Sequence, residues 1–185
     1  MPVSSLDPRT ALIVVDLQRG TVANPTAHEI GPVVAHAVDL LAAFRGRGLP
    51  VVLTNVTGTP AGRTEHGAGS RVFPPEWSEL IPELDQQPED ITVTRNTWAG
   101  FAGTDLDARL AQLGMTQVVL VGLATSFGVE STARYAYDHG YHVALAVDAM
   151  TDPSAAAHQH SVQRVFPVLG QTGTTAEFLS LLGES

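Results

Sequence analysis

Ala11-Leu-Ile-Val-Val15 is an unbroken apolar run closed by the carboxylate of Asp16. A run so short, with no polar side to offer water, suits a strand buried on both faces of a parallel sheet. Its carboxyl end then delivers Asp16 to the edge of that sheet. Similar segments recur: Val51 to Asn55, Asp90 to Thr94, Gln117 to Val121, His142 to Val147 and Gln171 to Thr174 read as strands. Between them lie helices. Pro32 to Gly48 carries Val34, Val38, Leu41 and Phe44 at helical spacing and stops at Gly48 before Pro50. Thr104 to Leu113 starts with Thr104 as cap and Asp105 in its first turn, and Gly114 ends it. Ser126 to His139, Ser154 to Val168 and Thr175 to Leu182 complete the set, while Val56 to Pro88, rich in Gly, Pro and charge, reads as an irregular excursion over the sheet edge. Alternating strands and helices predict a mostly parallel sheet with helices on both faces, and such sheets bind ligands outside the carboxyl ends of their strands. Asp16, Asn55, Arg95, the Gly122-Leu-Ala-Thr125 turn and Asp148 all fall at or near those ends.

The 185 residues fit one domain, 1–185, large enough to bury a core without disulfides or a structural metal. Nineteen acidic against ten basic residues leave a net charge of −9, which disfavours nucleic acid and anionic membranes as partners. A locally basic pocket stays open, formed if Arg63, Arg71 and Arg95 converge. No basic-then-apolar leader opens the chain and no apolar run reaches the length of a membrane span, so the expected location is cytoplasmic. There is no cysteine. Disulfide, iron–sulfur, thiolate-zinc and thiol-nucleophile chemistry are thereby excluded.

Asp16, partly desolvated at a binding edge, is equipped for proton transfer, with Gln18 two residues on to orient it; the plainer reading is a cap on a neighbouring turn. Val121-Gly-Leu-Ala-Thr-Ser-Phe-Gly-Val-Glu-Ser-Thr132 joins a strand to a helix, so amides near Ala124 and Gly128 are oxyanion-hole candidates. An ordinary connection capped by Thr125 or Ser126 fits the same residues. The segment lacks the glycine spacing of a dinucleotide fingerprint and the Gly-Lys-Ser/Thr ending of a phosphate loop. Arg95 is a permanent cation suited to fork a carboxylate, or a solvated surface residue. Trp98 and Phe101 are pocket walls or simply core. His158 and His160, two apart on a helix, face different ways and are not a joint metal site.

Taken together, Ala11-Leu-Ile-Val-Val-Asp-Leu-Gln18, Trp98-Ala-Gly-Phe-Ala-Gly-Thr-Asp-Leu106 and Gly122-Leu-Ala-Thr-Ser-Phe-Gly-Val-Glu-Ser-Thr-Ala-Arg134 resemble the isochorismatase-like hydrolase family, also called the cysteine hydrolase superfamily. The resemblance runs from about Ala11 to the C-terminal helix. It implies a three-layer α/β/α fold on a six-stranded, mostly parallel sheet, a pocket at the carboxyl edge, and a catalytic set of Asp, Lys and Cys. Asp16 matches the aspartate, Arg95 stands in the lysine's place and Gly128 in the cysteine's. The family's non-proline cis peptide would be Leu123 to Ala124, aiming the Ala124 N–H into an oxyanion hole. Its nicotinamidase branch binds metal after the second strand, where this chain reads Asn55-Val-Thr-Gly58, so no metal and no cofactor are expected.

Isochorismatases proper resemble the chain in carrying glycine at the cysteine's place. They cleave a vinyl ether, the aspartate protonating the enol carbon before water adds. The leading expectation is therefore a cysteine-independent hydrolase of a small anionic metabolite, with Asp16 as general acid or base and Arg95 binding the anion. Ala124 and Gly128 would stabilise negative charge, and Gln18, Asn55, Trp98, Phe101, Thr125 and Phe127 would shape the pocket. If Arg95 instead pairs with Asp16, it holds the carboxylate ionised and favours the base role. The rivals are a catalytically silent member that binds a metabolite or serves as an oligomeric component, and hydrolysis of an activated ester or amide by water that Asp16 deprotonates. A homo-oligomer, dimer or larger, is expected, with the apolar segment Phe166 to Leu182 as contact surface.

Overall fold

Every residue of β1 (Thr10–Val15) is buried, as a run without a polar side requires. The computed structural model describes residues 2–65 and 67–183; Met1, His66, Glu184 and Ser185 of the expected domain lie outside the described residues. After β1 come a short α1 (Arg19–Val22), the long α2 (Ile30–Gly46), β2 (Val51–Val56), the small strands β3 (Arg63–Thr64) and β4 (Gly67–Ala68), and α3 (Pro75–Ser78). Next follow β5 (Ile91–Arg95), α4 (Leu106–Gln112) and β6 (Gln117–Leu123), whose wide turn at Thr125–Val129 leads into α5 (Glu130–Asp138). The chain closes with β7 (His142–Thr151), α6 (Ala155–His160), a second wide turn at Ser161–Val165, α7 (Phe166–Leu169), β8 (Gln171–Gly173) and α8 (Thr175–Gly183).

The six main strands lie in the order β5-β2-β1-β6-β7-β8, each neighbour parallel. Two cores sandwich the sheet. Leu12 and Val14 point to the one that contains Leu40, Leu41 and Phe44 of α2 and Phe178 of α8. Ala11, Ile13 and Val15 point to the other, with Leu106 and Leu110 of α4 and Ala133 of α5. Each such Val, Leu or Ile contributes about 1.5–3 kcal/mol on burial. The chain winds outward from β1 to β2 and β5, then returns to β6 and winds the other way. The strand order thus reverses between β1 and β6, and the crevice outside their carboxyl ends is where sheets of this kind receive ligands.

Several boundaries differ from the sequence expectation. The excursion after β2 is partly regular, an antiparallel arm in which the Thr59 N–H donates to Arg71 O at 2.9 Å and Arg63 pairs with Ala68. Arg63 and Arg71 stand exposed on it while Arg95 is buried, so the described structure forms no shared basic pocket from the three. Thr104 is not the cap of α4: Asp105 holds that position, and the Thr104 hydroxyl donates to Gly100 O at 2.7 Å. Strand β7 runs through Asp148 rather than ending before it, because that carboxylate turns to the start of α8 and accepts the Thr175 N–H at 2.7 Å and hydroxyl at 2.9 Å. Within the segment Phe166 to Leu182, Phe166, Phe178 and Leu182 are buried in the chain's own core while Val168 stands exposed. Among the described residues no helix is long and apolar enough to cross a membrane.

Tyr141, just before β7, donates its hydroxyl to Asp107 Oδ1 at 2.9 Å. Burial first, then the hydrogen bond and charge of Asp107, push its pKa from 10.0 up to about 12. A folded-state pKa above the unfolded one favours the protonated native form, so this contribution is complete below about pH 10 and is lost as pH rises toward about 12. Thermal unfolding followed across that window should show a decline in stability that Tyr141→Phe removes.

Candidate active site

Asp16 adopts φ 48°, a left-handed backbone that aspartate tolerates better than most residues. The kink is fixed from both sides. The Asp16 N–H donates to Thr54 O at 3.1 Å, and its own carbonyl accepts the Gln18 N–H at 2.9 Å and the Thr21 hydroxyl. The chain thereby leaves β1 sharply and presents the carboxylate at the β1/β6 crevice. The side chain caps no turn.

Arg95, the last residue of β5, meets that carboxylate with a fork: Nη1 donates to Oδ1 at 2.6 Å and Nη2 to Oδ2 at 2.9 Å. Thr54 Oγ1 donates to Oδ1 at 2.7 Å. Nη2 also donates to the Trp98 carbonyl at 2.7 Å. Both partners are almost wholly shielded, Asp16 at 6% and Arg95 at 5% exposure. In such a setting a charge-assisted bidentate pair is strong. Two consequences follow for the chemistry. Both terminal nitrogens of Arg95 are committed to Asp16, so the arginine holds the aspartate rather than reaching for a substrate anion; its buried Nε has no acceptor among the described residues. Of the two carboxylate oxygens, Oδ1 accepts two donors and Oδ2 one, which leaves Oδ2 the freer to exchange a proton.

Oδ2 is also the oxygen nearest Gly128. A Cβ added to Gly128 would stand 3.4 Å from Oδ2, 3.1 Å from Leu123 O and 2.9 Å from Val15 Cγ1. The backbone of the turn therefore lies directly against Asp16. The Leu123–Ala124 peptide bond is cis. Ala124 O accepts the Phe127 N–H at 3.1 Å and the Val129 N–H at 3.2 Å, closing a wide turn over the crevice. The rings of Trp98 and Phe127, 57% and 43% exposed, meet edge to face at 5.1 Å and bridge the β5 and β6 sides of this site.

Other expected pocket residues are placed elsewhere. Gln18 is fully buried but its amide serves β2: Oε1 accepts the Val56 N–H at 2.7 Å and Nε2 donates to Val56 O at 2.9 Å. It orients the strand end, not the carboxylate. Asn55 faces away from Asp16, donating to Ser78 O at 2.9 Å and accepting the Thr94 hydroxyl at 2.7 Å. Phe101 is core, stacked near Tyr135, His139 and Tyr141 toward the far end of α5. Thr125 is fully buried, its Oγ1 2.9 Å from His158 Nδ1. Among the described residues no group of three His, Asp or Glu is arranged to hold a metal ion.

Thr54 is the residue that sequence reasoning overlooks. It reads as one more strand residue, and only the parallel register Val15↔Thr54 brings it beside Asp16. A hydroxyl in an otherwise apolar buried strand, Val51-Val-Leu-Thr54, was the available signal.

The isochorismatase domain model matches residues 10–177. The chain is 39% identical over 178 residues to the isochorismatase family protein YwoC of Bacillus subtilis, covering 92% of this chain and 93% of that one. It is 28% identical over 216 residues to the ureidoacrylate amidohydrolase RutB of Methylobacterium radiotolerans, covering 97% and 82%. The structure of an isochorismatase family protein from Burkholderia thailandensis superposes with a TM-score of 0.88 at 40% identity, covering 97% of this chain and 98% of that one.

Proposed function

The chain belongs to the isochorismatase family, whose members are hydrolases, and from that premise we propose that it hydrolyses a small metabolite without a cysteine and without a covalent enzyme intermediate. The observation that carries this reading is the shielded Asp16 carboxylate, forked by Arg95 and bonded by Thr54, with Oδ2 facing the backbone of Gly128. No thiol exists to attack, and in this reading water is the nucleophile and Asp16 the group that moves the proton.

The fork supports the base role at rest. With every near donor pointing at the carboxylate, Asp16 enters as an anion and draws a proton from water at Oδ2 while that water adds to a carbonyl carbon. Collapse of the tetrahedral intermediate returns the proton to the leaving group. The amides of Ala124 and Gly128 are the candidate donors for the oxyanion. Vinyl-ether cleavage, the route of the isochorismatases proper, needs the reverse: Oδ2 must carry a proton to the enol carbon before water adds and the hemiketal breaks down to pyruvate and an alcohol. Glycine at 128 lets the turn approach Oδ2, since an added Cβ would crowd Val15 Cγ1 at 2.9 Å.

One arrangement favours a silent, ligand-binding member: Asp16 is 6% exposed, and the Trp98 and Phe127 rings meet across the site. The test offers wild type and Asp16→Asn isochorismate, followed by pyruvate release, in parallel with small ureido acids and activated esters. Asp16-dependent turnover with no protein adduct in intact-mass spectra is expected. A rate that rises with pH through an acidic titration marks the base role, and one that falls marks the acid. Binding without turnover across both substrate classes overturns the hydrolase reading, and a covalent adduct overturns its mechanism.

A further inference from the structure

The turn that covers Asp16 is held from behind. Ser126 donates both its N–H and its hydroxyl to Asp152 Oδ2, each at 2.8 Å, and Asp152 Oδ1 accepts the Ser154 N–H at 3.0 Å. One residue earlier, the buried Thr125 hydroxyl lies 2.9 Å from His158 Nδ1. His158 is 8% exposed and belongs to α6, which follows the exit of β7. The ring of His28 stands edge-on to it at 4.7 Å and is itself fixed by Thr151 Oγ1, 2.8 Å from His28 Nδ1. Behind the two rings opens a cavity of about 350 Å³, lined also by Glu29, Val33, Asp148 and Met150.

None of these groups touches Asp16, yet two of them fix consecutive residues of the segment that brings Ala124 and Gly128 to it. We propose that His158 is a positioning residue for this turn: as a neutral imidazole it fixes the Thr125 hydroxyl, and through it the placement of the Ala124 and Gly128 amides against Asp16. The proposal rests on the hydrolase reading for its catalytic consequence, but not for its structural one.

The chemistry of the contact makes it sensitive to a proton. With the proton of the neutral ring on Nε2, the Thr125 hydroxyl donates to Nδ1. Protonating Nδ1 turns the bond around: the ring donates, the hydroxyl becomes the acceptor, and its own hydrogen needs a new partner in a fully buried place. The charged groups around the ring pull in both directions. His28 ahead of α2 disfavours a positive charge on the ring and Asp152 favours one, with Glu29 and Asp148 lining the same cavity. Burial, with His28 adding to it and Asp152 opposing, keeps the His158 pKa below its ordinary value, so the ring stays neutral near neutral pH.

The test follows the backbone amides of Ala124, Thr125 and Gly128 by NMR while pH is lowered from about 7 to about 5, together with the His158 ring signals. In wild type the three amides should move with the His158 titration, and in His158→Gln, which keeps every neighbouring carboxylate and His28 in place, that movement should vanish. Amides that ignore the ring, or that move identically in His158→Gln, overturn the proposal whether or not a substrate is in hand. Against any substrate found for the wild type, His158→Phe should lower kcat on the order of 10-fold with little change in KM, the size expected of a small misplacement. His158→Gln, which keeps a side-chain polar partner for Thr125, should recover part of it. Equal losses in the two variants, or a loss confined to KM, count against the positioning role.

Discussion

Arg95→Met is expected to destabilise the fold by about 3–5 kcal/mol, because it leaves the Asp16 carboxylate buried with Thr54 as its one remaining side-chain donor. The attraction within the pair largely offsets the desolvation of both ions, and removing one partner exposes the whole cost of the other. Asp16→Asn/Arg95→Met, which carries neither charge, should be more stable than Arg95→Met alone. That inversion separates a paired buried charge from an ordinary packing contact. Urea unfolding of the two single variants and the double reads it directly; a loss below about 1 kcal/mol in Arg95→Met would show that water reaches Asp16 freely. Activity should divide along another line. Asp16→Asn preserves shape and an acceptor for one Nη, yet removes the proton carrier, and a positioned acid or base is worth on the order of 10²–10⁴-fold in rate.

The winding of this fold is legible in the sequence because burial forbids alternatives. An apolar run such as Ala11 to Val15 has no face for water, and Gly48 followed by Pro50 stops a helix whatever surrounds it. The site is legible only to the extent that strand ends announce it. Asp16 and Arg95 each close a strand, and the sheet order places both strands on one side of the β1/β6 crevice. Which side chains face one another depends on register and on the hand of each pleat, and neither leaves a mark in composition. Thr54 and Asn55 are adjacent in sequence and both polar, yet one bonds Asp16 and the other points to α3. Asp148 misleads for the same reason. A carboxylate in a strand normally signals its end, but this one is paired with Thr175 and His36, so β7 continues and it is Asp152 that reaches the turn. Gln18 and Phe101 sit near the right place in the chain and spend their side chains on strand β2 and on the core.

The close approach of β1 and β6 sets up the second large effect, at Gly122. This glycine pairs with Val15 in the ladder and takes φ 112°, a conformation that L side chains rarely adopt. On its other side the pairing to β7 slips in register between Leu120 and Gly122, so β6 bends here and turns its end toward Asp16. A Cβ at this position would stand 2.1 Å from Val15 O and 2.8 Å from Val15 N. Those are backbone atoms in the centre of the sheet, and no rotamer change can move them aside. Gly122→Ala should therefore carry backbone strain of about 1–3 kcal/mol and an overlap penalty of about 1–3 kcal/mol more. Gly31→Ala, on α2 with nothing within 4 Å of the added carbon, is the matched control and should be neutral or slightly stabilising. The strain also falls one residue from Asp16. A Gly122→Ala protein that still folds should push β6 away from β1 and separate the turn from the carboxylate, so activity should fall further than stability alone explains. Unfolding within about 1 kcal/mol of wild type would mean that the two strands need not approach so closely, and that the turn is held over Asp16 from the β7 side alone.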